Sequence, residues 1–532
     1  MCLSLHNQYA KIYHTMTQTE VLIVLVNSMT KSEKKSFMIY ASQSESNKAY
    51  LFLFGLINKL QIGTPEELKN AFQKNRQHCS FDTAVKYLYK VLLKILVSLR
   101  QAQDSYYSLF NRLLVIRVLC EKLLFDEALK LTRKTINEAK LVENQFVLLI
   151  AQRTELEILL SQNFNHVSEK VLINKHFQIG QTLTGIRRIN EQTTLYELLK
   201  YRMIYNGSVR SAKQKKDLND LVFSEMSIVA STHTETFEIR KMHQLFQANY
   251  LIAIGDYKSA LHSFYELNKV FENNKHLWAN PPIYYVLVLE GILESLHIIK
   301  DYNGMQYFVD KLKRLKSTSA NFRANVMCLA FQYELFPLLD LGDFAKANKL
   351  MAQYSLLYEN QSLLNITRQA ELLLYTTIIY LENNNIVLAK KTINRIFFND
   401  KIFYHLSLYR TIRMIKLMVY YELKDFDFIN LEIRSIKREI SSELESYKTE
   451  RLMMSVLGKQ MSFFTLKKRL VIWEKISHEI DVIKQDKFEM QVLQLFDFTA
   501  WIESKIRDIS LIMVLKEKYS AFSHPDVNKQ RK

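Results

Sequence analysis

Residues that could carry catalysis form no recognisable pattern in this chain of 532 residues. The stretch GQTLTGIR, residues 180–187, has the glycine spacing of a phosphate-binding P-loop, but Ile186 and Arg187 stand where Lys and Ser or Thr would hold phosphate and magnesium. The 13 histidines include no HExxH zinc pair, and the chain contains neither a GxSxG nucleophile motif nor a dinucleotide fingerprint. We therefore expect a protein that is not an enzyme and uses no cofactor or metal.

A basic helix near the N-terminus is the clearest candidate for binding an anionic partner. The predicted helix FDTAVKYLYKVLLKILVSLR, residues 81–100, places Lys86, Lys90 and Lys94 on one face, opposite an apolar stripe. As the third helix of a helix-turn-helix, it could enter the major groove of DNA. The connection before it is longer than the usual turn, however, and Asp82 would face the bases. We favour the alternative of a lysine face exposed to solvent.

Two capping boxes mark helix starts in the same region. They are TKSE at residues 30–33 and TPEE at residues 64–67. The predicted helices there are 31–41, 48–60, 65–73 and 82–101. Residues 1–103 contain 11 Lys and 2 Arg against 6 acidic residues, which is +7 of the net charge of +18. We interpret this region as a basic N-terminal helical domain.

A recurring turn organises the middle of the chain. The segments LIAIGDYKSALHSF, residues 251–264, and LLDLGDFAKANKLM, residues 338–351, align on Gly255 and Gly342. Both have a leucine four residues before the glycine and an aromatic residue two positions after it (Tyr257, Phe344). Both also have an alanine five positions after the glycine (Ala260, Ala347) and a large apolar residue nine positions after it. Such offsets predict two antiparallel helices that meet at a tight turn. The small alanine allows the two helices to approach closely.

The same offsets recur at regular intervals. Together with the two glycine turns, Lys300, Asn384 and Lys424 give turns spaced 45, 42, 42 and 40 residues apart. Looser matches lie upstream at Leu123, Gln162 and Gly207. Gly and Asn suit such a turn because a helix commonly ends on a residue in the left-handed conformation. Beyond residue 440 the pattern stops, and long helices around WEKI and FDFTAWIESKI predict a C-terminal unit that covers the last apolar face.

The segment ANYLIAIGDYKSALHSFYEL, residues 248–267, resembles the tetratricopeptide repeat. The period exceeds the 34 residues of that repeat and suits longer-armed tetratricopeptide-like units or HEAT-type repeats of about 40 to 47 residues. The opening SMTKSEKKSFMIYAS and the closing LFDFTAWIESKI are similar to the ends of long, uncharacterised bacterial helical-repeat proteins of this superfamily. The resemblance implies a right-handed α-solenoid of antiparallel helix pairs.

Composition agrees with an all-α chain. Only 10 Gly and 5 Pro occur among 532 residues, and 48% of the residues are hydrophobic. The chain has four cysteines that are far apart and form no CxxC pair: Cys2, Cys79, Cys120 and Cys328. This pattern suggests no disulfide framework and is typical of a protein in a reducing cytoplasm. The longest apolar runs, such as residues 372–381, are too short to span a bilayer. We expect a cytoplasmic protein without a membrane span.

These observations predict three regions and a binding function. Residues 1–103 form the basic domain, residues 104–440 the repeats, and residues 441–532 a helical cap with a short tail. Stacked helix pairs build a concave surface on which peptides or proteins dock. The first hypothesis is a scaffold or adaptor for a protein or peptide, favoured to be acidic because the chain is basic. The alternative is a nucleic-acid-binding regulator that uses the basic domain, with the repeats as a sensor or partner module.

Overall fold

The computed structural model is helical throughout the residues that it describes. These are residues 17–42, 48–60, 64–76, 78–102, 104–206, 209, 212–230, 236–398, 403, 408–443, 446–459, 464–486 and 488–523. No strand occurs in these ranges. The all-α prediction is therefore confirmed for the described part of the chain.

Most helices follow one another through connections of a few residues, and the segment between Asn273 and Ile283 is longer. In chain order they are α1 Gln18–Ser28, α2 Lys31–Ser42, α3 Lys48–Leu60, α4 Pro65–Asn75, α5 Phe81–Gln101, α6 Ser105–Glu121, α7 Phe125–Leu141, α8 Gln145–Ser161, α9 Glu169–Asn206, α10 Ala212–Lys216, α11 Asn219–Ala230, α12 Phe237–Ala253, α13 Tyr257–Asn273, α14 Ile283–Ile298, α15 Tyr302–Lys313, α16 Ala320–Asp340, α17 Phe344–Gln353, α18 Ser355–Glu359, α19 Ile366–Glu382, α20 Ile386–Phe398, α21 Tyr409–Glu422, α22 Phe426–Glu443, α23 Lys448–Gly458, α24 Leu466–Gln485, α25 Met490–Leu493, α26 Phe498–Arg507 and α27 Leu511–Ser523. The four helices predicted in the N-terminal region correspond to α2–α5, and the two capping boxes precede α2 and α4.

The five regularly spaced turns share one backbone geometry. Gly255 and Gly342 have φ angles of +77° and +71°, and Lys300, Asn384 and Lys424 have φ angles of 62°, 59° and 59°. In each turn, the next residue donates its backbone N–H to the carbonyl four positions before the turn residue, over 2.8 to 3.0 Å. This bond satisfies a carbonyl that the end of the helix would leave unpaired. The left-handed residue is thus the physical basis of the repeated pattern.

A capping aspartate follows four of these turn residues. Asp256, Asp301, Asp343 and Asp425 each accept a hydrogen bond from the backbone N–H three residues later, at 3.2, 3.0, 3.1 and 3.2 Å. Each carboxylate satisfies an unpaired donor of the next helix and complements the positive end of its dipole. The chain therefore ends one helix and starts the next within about three residues.

The other repeat positions lie in the core. Tyr257 and Phe344 are the first residues of α13 and α17, and both rings are buried. Ala260 and Ala347 have no exposed surface at all. The structure places these residues at the junction of packed helices, where the sequence pattern predicts them.

The looser upstream matches differ in outcome. Leu123 has a φ angle of 61°, as the pattern predicts. The prediction at Gln162 was wrong by one residue, because Gln162 has a φ angle of −94° and the left-handed residues are Asn163, Phe164 and His166. The connection to α9 therefore differs from the single left-handed residue of the regular turns. Gly207 lies outside the described residues.

Lys300 occupies a turn position that glycine usually takes, and its side chain makes contacts that glycine could not make. Its ammonium donates to Oδ2 of Asp340 at 2.6 Å, and the Tyr302 hydroxyl donates to the same oxygen at 2.7 Å. His297 Nε2 lies 3.0 Å from that oxygen. Burial opposes ionisation of Asp340, but the hydrogen bonds from His297 and Lys300 overcome it and hold the pKa of this carboxyl well below its usual range. The side chain at this turn thus ties the start of α15 to the end of α16.

Helix packing follows chain order. Neighbouring helices pack on each other from α6 to α9 and from α12 to α17, and α19 packs on α20. The first helix of a pair also contacts the first helix of the next pair, as α12 does with α14, α14 with α16, α16 with α19 and α19 with α21. Each unit therefore buries its apolar surface mainly against its neighbours in the chain.

Buried apolar side chains group into distinct clusters. One cluster takes its members from residues 22–95, a second from residues 195–333 and a third from residues 324–515. Helices α6–α8 contribute two small clusters, around Leu109 and Ile116. The third cluster joins the later helix pairs to the C-terminal helices, so the two regions share one core.

The C-terminal helices also lie across the turns of the helix pairs. A Cβ atom on Gly342 would lie 3.3 Å from Cα of Ile512, so this glycine allows α27 to approach the turn closely. Lys505 of α26 pairs with Glu422 at the end of α21, at 2.6 Å. The ring of Trp501 packs edge-on against Tyr421 at 5.5 Å. The C-terminal unit therefore contacts several turns rather than one final face.

A partly buried polar network links three of the first helices. Arg368 of α19 pairs with Glu290 of α14, and its Nη1 lies 2.8 Å from Glu371 Oε2. Gln332 of α16 donates to Glu371 at 2.9 Å. Nearby, burial and the charge of Glu290 raise the pKa of Glu294 to about 7. The guanidinium thus neutralises carboxylates from two helices inside the protein.

Gly291 of α14 allows a close approach between α14 and α13. A Cβ atom there would lie 2.1 Å from Cζ of Phe264, a ring that is 1% exposed and has no room to move. We expect Gly291→Ala to lower the free energy of unfolding by about 2 kcal/mol through overpacking.

Gly180→Ala in α9 is the matched control, because nothing lies within 4 Å of the added atom. It should stabilise by about 1 kcal/mol through helix propensity. Denaturant unfolding of both variants tests this, and losses of equal size would contradict the close approach.

Candidate binding site

A cavity of about 730 Å³ opens where the N-terminal ends of α6, α8, α12 and α14 come together. Its walls also include Thr193 of α9 and residues 276–280 from the connection between α13 and α14. Phe271 of α13 also lines it, so six helices from separate parts of the chain contribute, and only the packed fold creates this space. Its volume is within the range of pockets that bind small molecules or the side chains of a peptide.

Capping interactions fix the helix starts around the cavity. Asp104 accepts from the backbone N–H of Tyr106 at 2.8 Å, and Asn144 accepts from that of Val147 at 3.1 Å. Glu143 accepts from the backbone N–H of Phe237 at 2.8 Å and so ties the start of α12 to the α7–α8 turn. The unpaired donors at these helix ends are thereby satisfied. The walls are held in place by hydrogen bonds as well as by packing.

Aromatic rings form one wall. The Trp278 indole donates its Nε1–H to the carbonyl of Phe271 at 2.9 Å, which folds the connection back onto α13. The Trp278 ring then lies 4.2 Å from the ring of Tyr285, at 30°. Phe271 packs 5.4 Å from Tyr285 and 5.2 Å from Phe237. Such a wall offers a large apolar contact area with few rotatable bonds.

Glu272 anchors the ring of Tyr285 behind this wall. The Tyr285 hydroxyl donates to Glu272 and, at 3.1 Å, to Asn268. Burial opposes ionisation of Glu272, but hydrogen bonds from Tyr285, Lys311 and Lys275 outweigh it and lower the pKa of Glu272 to about 2. Burial, together with this carboxylate, raises the pKa of the Tyr285 phenol. The phenol therefore remains a hydrogen-bond donor, and its ring is held in one orientation.

A buried lysine provides the cation of the cavity. Lys241 is 5% exposed, and its Nζ lies 2.5 Å from Glu238 Oε2. The ammonium also lies 4.1 Å from the centre of the Tyr284 ring, in cation–π contact. Burial of an ammonium is costly unless it is paired, and both partners reduce that cost. Lys241 thus stiffens this part of the wall.

Exposed aromatic side chains surround the mouth. Tyr106 and Phe146 are 57% and 59% exposed, and Tyr107 is 38% exposed. The apolar surface continues along both helices, because Leu114 lies two turns beyond Tyr107 on α6 and Ile150 lies one turn beyond Phe146 on α8. An apolar surface at the edge of a cavity marks a site for interaction with another molecule.

The predicted basic face belongs to a different region. Lys86, Lys90 and Lys94 are all exposed on α5. The opposite face of α5, which includes Leu88 and Leu92, is buried in the N-terminal cluster. The structure brings the three lysines together on one surface but leaves them outside the cavity. Their role in binding an anionic partner stays a prediction.

The repeat residues also lie outside the cavity: the Gly255 turn is at the opposite end of α12, and the Gly342 turn joins α16 and α17, which contribute no lining residue. Gly255, Tyr257, Ala260, Gly342, Phe344 and Ala347 have structural positions in turns and core. The cavity residues belong to no catalytic motif and to no periodic position, so the sequence pattern does not mark them as a site. One signal was present: HLWANPPIYY, residues 276–285, holds two of the 5 prolines beside three aromatic residues in an unusually long connection.

Comparison with protein-family models, curated proteins and solved structures found no significant match for this chain. In the part of the chain that the structure describes, no three His, Cys, Asp or Glu side chains are grouped so that they could hold a metal ion. Within the same ranges, no helix combines the length and apolar character needed to cross a bilayer. The candidate site is therefore assigned on its geometry.

Proposed function

We propose that this protein is a non-catalytic scaffold that binds a peptide or a protein segment at the aromatic cavity. The observation that supports the proposal most is the cavity of about 730 Å³ with exposed Tyr106, Tyr107 and Phe146 at its mouth. Apolar and aromatic side chains of a partner would bury against these rings, as in the hot spots of protein interfaces.

The proposed architecture is a right-handed superhelix of antiparallel helix pairs that resembles tetratricopeptide repeats. Its support is the shared turn geometry at Gly255, Lys300, Gly342, Asn384 and Lys424, together with the contacts between successive first helices. In such an array the first helices line the inner surface. Helices α6, α8, α12 and α14, which border the cavity, would belong to that inner surface. The cysteine pattern makes the cytoplasm the proposed compartment.

The charges of the cavity favour an apolar anchor over a strongly acidic one. Asp104 and Glu238 line the cavity beside Lys241 and His276, and Lys241 is already paired with Glu238. The rest of the wall is uncharged and includes the aromatic rings together with aliphatic and neutral polar side chains. The anchor of the partner is therefore proposed to be an aromatic or aliphatic side chain, held by burial rather than by charge.

Nucleic-acid binding stays an alternative prediction for the basic domain. Lys86, Lys90 and Lys94 are exposed, so they could contact phosphates from one face of α5. Because the other face of the helix is packed in the core, α5 would have to bind nucleic acid through its exposed face while it stays packed in the N-terminal cluster. Its apolar character and exposed Asp82 argue against insertion into a groove.

A peptide-display selection tests the scaffold proposal. The full-length chain is immobilised, random peptides are selected on it, and the binding of the selected peptides to the Phe146→Asp variant is then measured. We expect peptides rich in aromatic or aliphatic residues to bind the unchanged protein saturably. Phe146→Asp should weaken their binding at least about tenfold, because a charge at the mouth opposes apolar burial.

Phe177→Asp is the matched control for this experiment. Phe177 is 64% exposed on α9 and does not line the cavity. Its substitution should leave peptide binding unchanged, as measured by isothermal titration calorimetry. Equal losses in the two variants, or selected peptides that bind both equally well, would refute the cavity as the binding site.

A further inference from the structure

A second groove lies in the N-terminal region, between α2 and α3. Its volume is about 590 Å³, and its lining includes Met38, Leu51, Phe52 and Leu56. Met38 is 50% exposed at its edge. The groove belongs to the cluster formed by residues 22–95 and shares no lining residue with the aromatic cavity. It is therefore an independent candidate surface.

Gly55 makes the groove open. It lies inside α3, and a Cβ atom there would have nothing within 4 Å. Glycine inside a helix costs about 1 kcal/mol relative to alanine, and packing inside this protein does not explain its presence. A glycine on a helix surface does allow another helix to approach the backbone closely. Unlike Gly291, which faces Phe264, Gly55 faces space that a partner could fill.

Basic side chains border the same groove. Lys34 and Lys35 line it, and Lys31 precedes them by one turn on the exposed surface of α2. Lys34 donates to Asn58 Oδ1 at 2.8 Å, and partial burial lowers its pKa. The nearest acidic residue in the sequence, Glu33, is paired with Arg100 at 2.6 Å and does not line the groove. The groove therefore combines an apolar floor with a positively charged edge.

We propose that this groove binds an acidic amphipathic helix of a partner protein. The apolar face of that helix would lie over Gly55 and against Met38 and Phe52, and its carboxylates would contact Lys34 and Lys35. A groove between two helices, with the backbone accessible at Gly55, suits a helix that presents apolar residues at i, i+3, i+4 and i+7. Charge complementarity would set the choice of partner and speed association. With the aromatic cavity, the chain would then carry two binding surfaces, as an adaptor requires.

The test uses the full-length protein and a fluorescent amphipathic peptide of about 18 residues, long enough to form a helix. The peptide carries leucine at i, i+3, i+4 and i+7 and glutamate on the flanking positions. Fluorescence anisotropy should show saturable binding that is lost with a scrambled peptide of the same composition. Binding should weaken at least about tenfold when lysine replaces the glutamates.

Substitutions in the groove separate its features. Gly55→Phe fills the floor and should reduce peptide binding at least about tenfold, whereas Gly55→Ala should preserve binding and raise the melting temperature. Lys35→Glu should weaken binding of the acidic peptide and strengthen binding of the lysine peptide. Because Lys35 is exposed, the variant should still fold. This charge reversal keeps the test decisive even if Gly55→Phe misfolds.

Three outcomes would overturn the proposal. The first is equal binding of the scrambled and amphipathic peptides. The second is binding of vesicles with anionic lipids that depends on Gly55 and Lys35 while the peptide does not bind, which would assign the groove to a membrane surface. The third is a dimer in sedimentation analysis that Gly55→Phe dissociates, which would assign it to a second copy of this chain.

Discussion

Replacement of Arg368 by methionine is expected to lower the free energy of unfolding by about 3 to 5 kcal/mol. The guanidinium neutralises Glu290 and Glu371, whose side chains are 21% and 19% exposed. Methionine fills much of the same volume but leaves both carboxylates without a cation in a largely dry environment. Denaturant unfolding followed by circular dichroism, with hydrogen exchange across α14, α16 and α19, measures the loss and its location.

Arg187→Met is the matched control for Arg368. Arg187 pairs with Glu191 one turn away on α9, at 2.8 Å, and its side chain is 80% exposed. An exposed pair contributes roughly 0.5 kcal/mol or less, because water and salt screen both charges. If the two substitutions lower stability equally, the Arg368 network contributes no more than a surface ion pair.

Ala347→Trp and Ala260→Trp are each expected to destabilise the protein by about 3 kcal/mol. Both alanines are fully buried at helix junctions, so an indole ring would have to push two helices apart. Thermal unfolding should show a lower melting temperature for each variant. The expected local effect is faster hydrogen exchange in α16 and α17 for Ala347→Trp, and in α12 and α13 for Ala260→Trp.

Ala345→Trp provides the comparison on the same helix. Ala345 lies two residues before Ala347 on α17 and is exposed. A tryptophan there should change the melting temperature little, because surface substitutions usually alter stability by less than about 0.5 kcal/mol. A melting temperature unchanged by Ala347→Trp would show that the repeat alanine is not at a close approach.

The helices and their ends could be predicted from the sequence because their causes are local. A left-handed residue, the capping aspartate after it and the buried aromatic at the next helix start lie within three residues of each other, as at Gly255, Asp256 and Tyr257. The capping bonds that end and start a helix connect residues only a few positions apart. Periodicity alone therefore located these turns, and it failed at Gln162, where Asn163, Phe164 and His166 are left-handed instead.

The sites depend on contacts that local pattern does not contain. Arg368 reaches Glu290 across 78 residues of chain, and α27 crosses the turn at Gly342 from far along the sequence. The aromatic cavity draws its walls from six helices, and the groove at Gly55 exists only because α2 and α3 leave its surface uncovered. Sequence alone determined the helical class, the repeated turns and the basic charge, because each follows from composition or from neighbouring residues. Only the tertiary structure decided which side chains meet, because that depends on how distant helices pack.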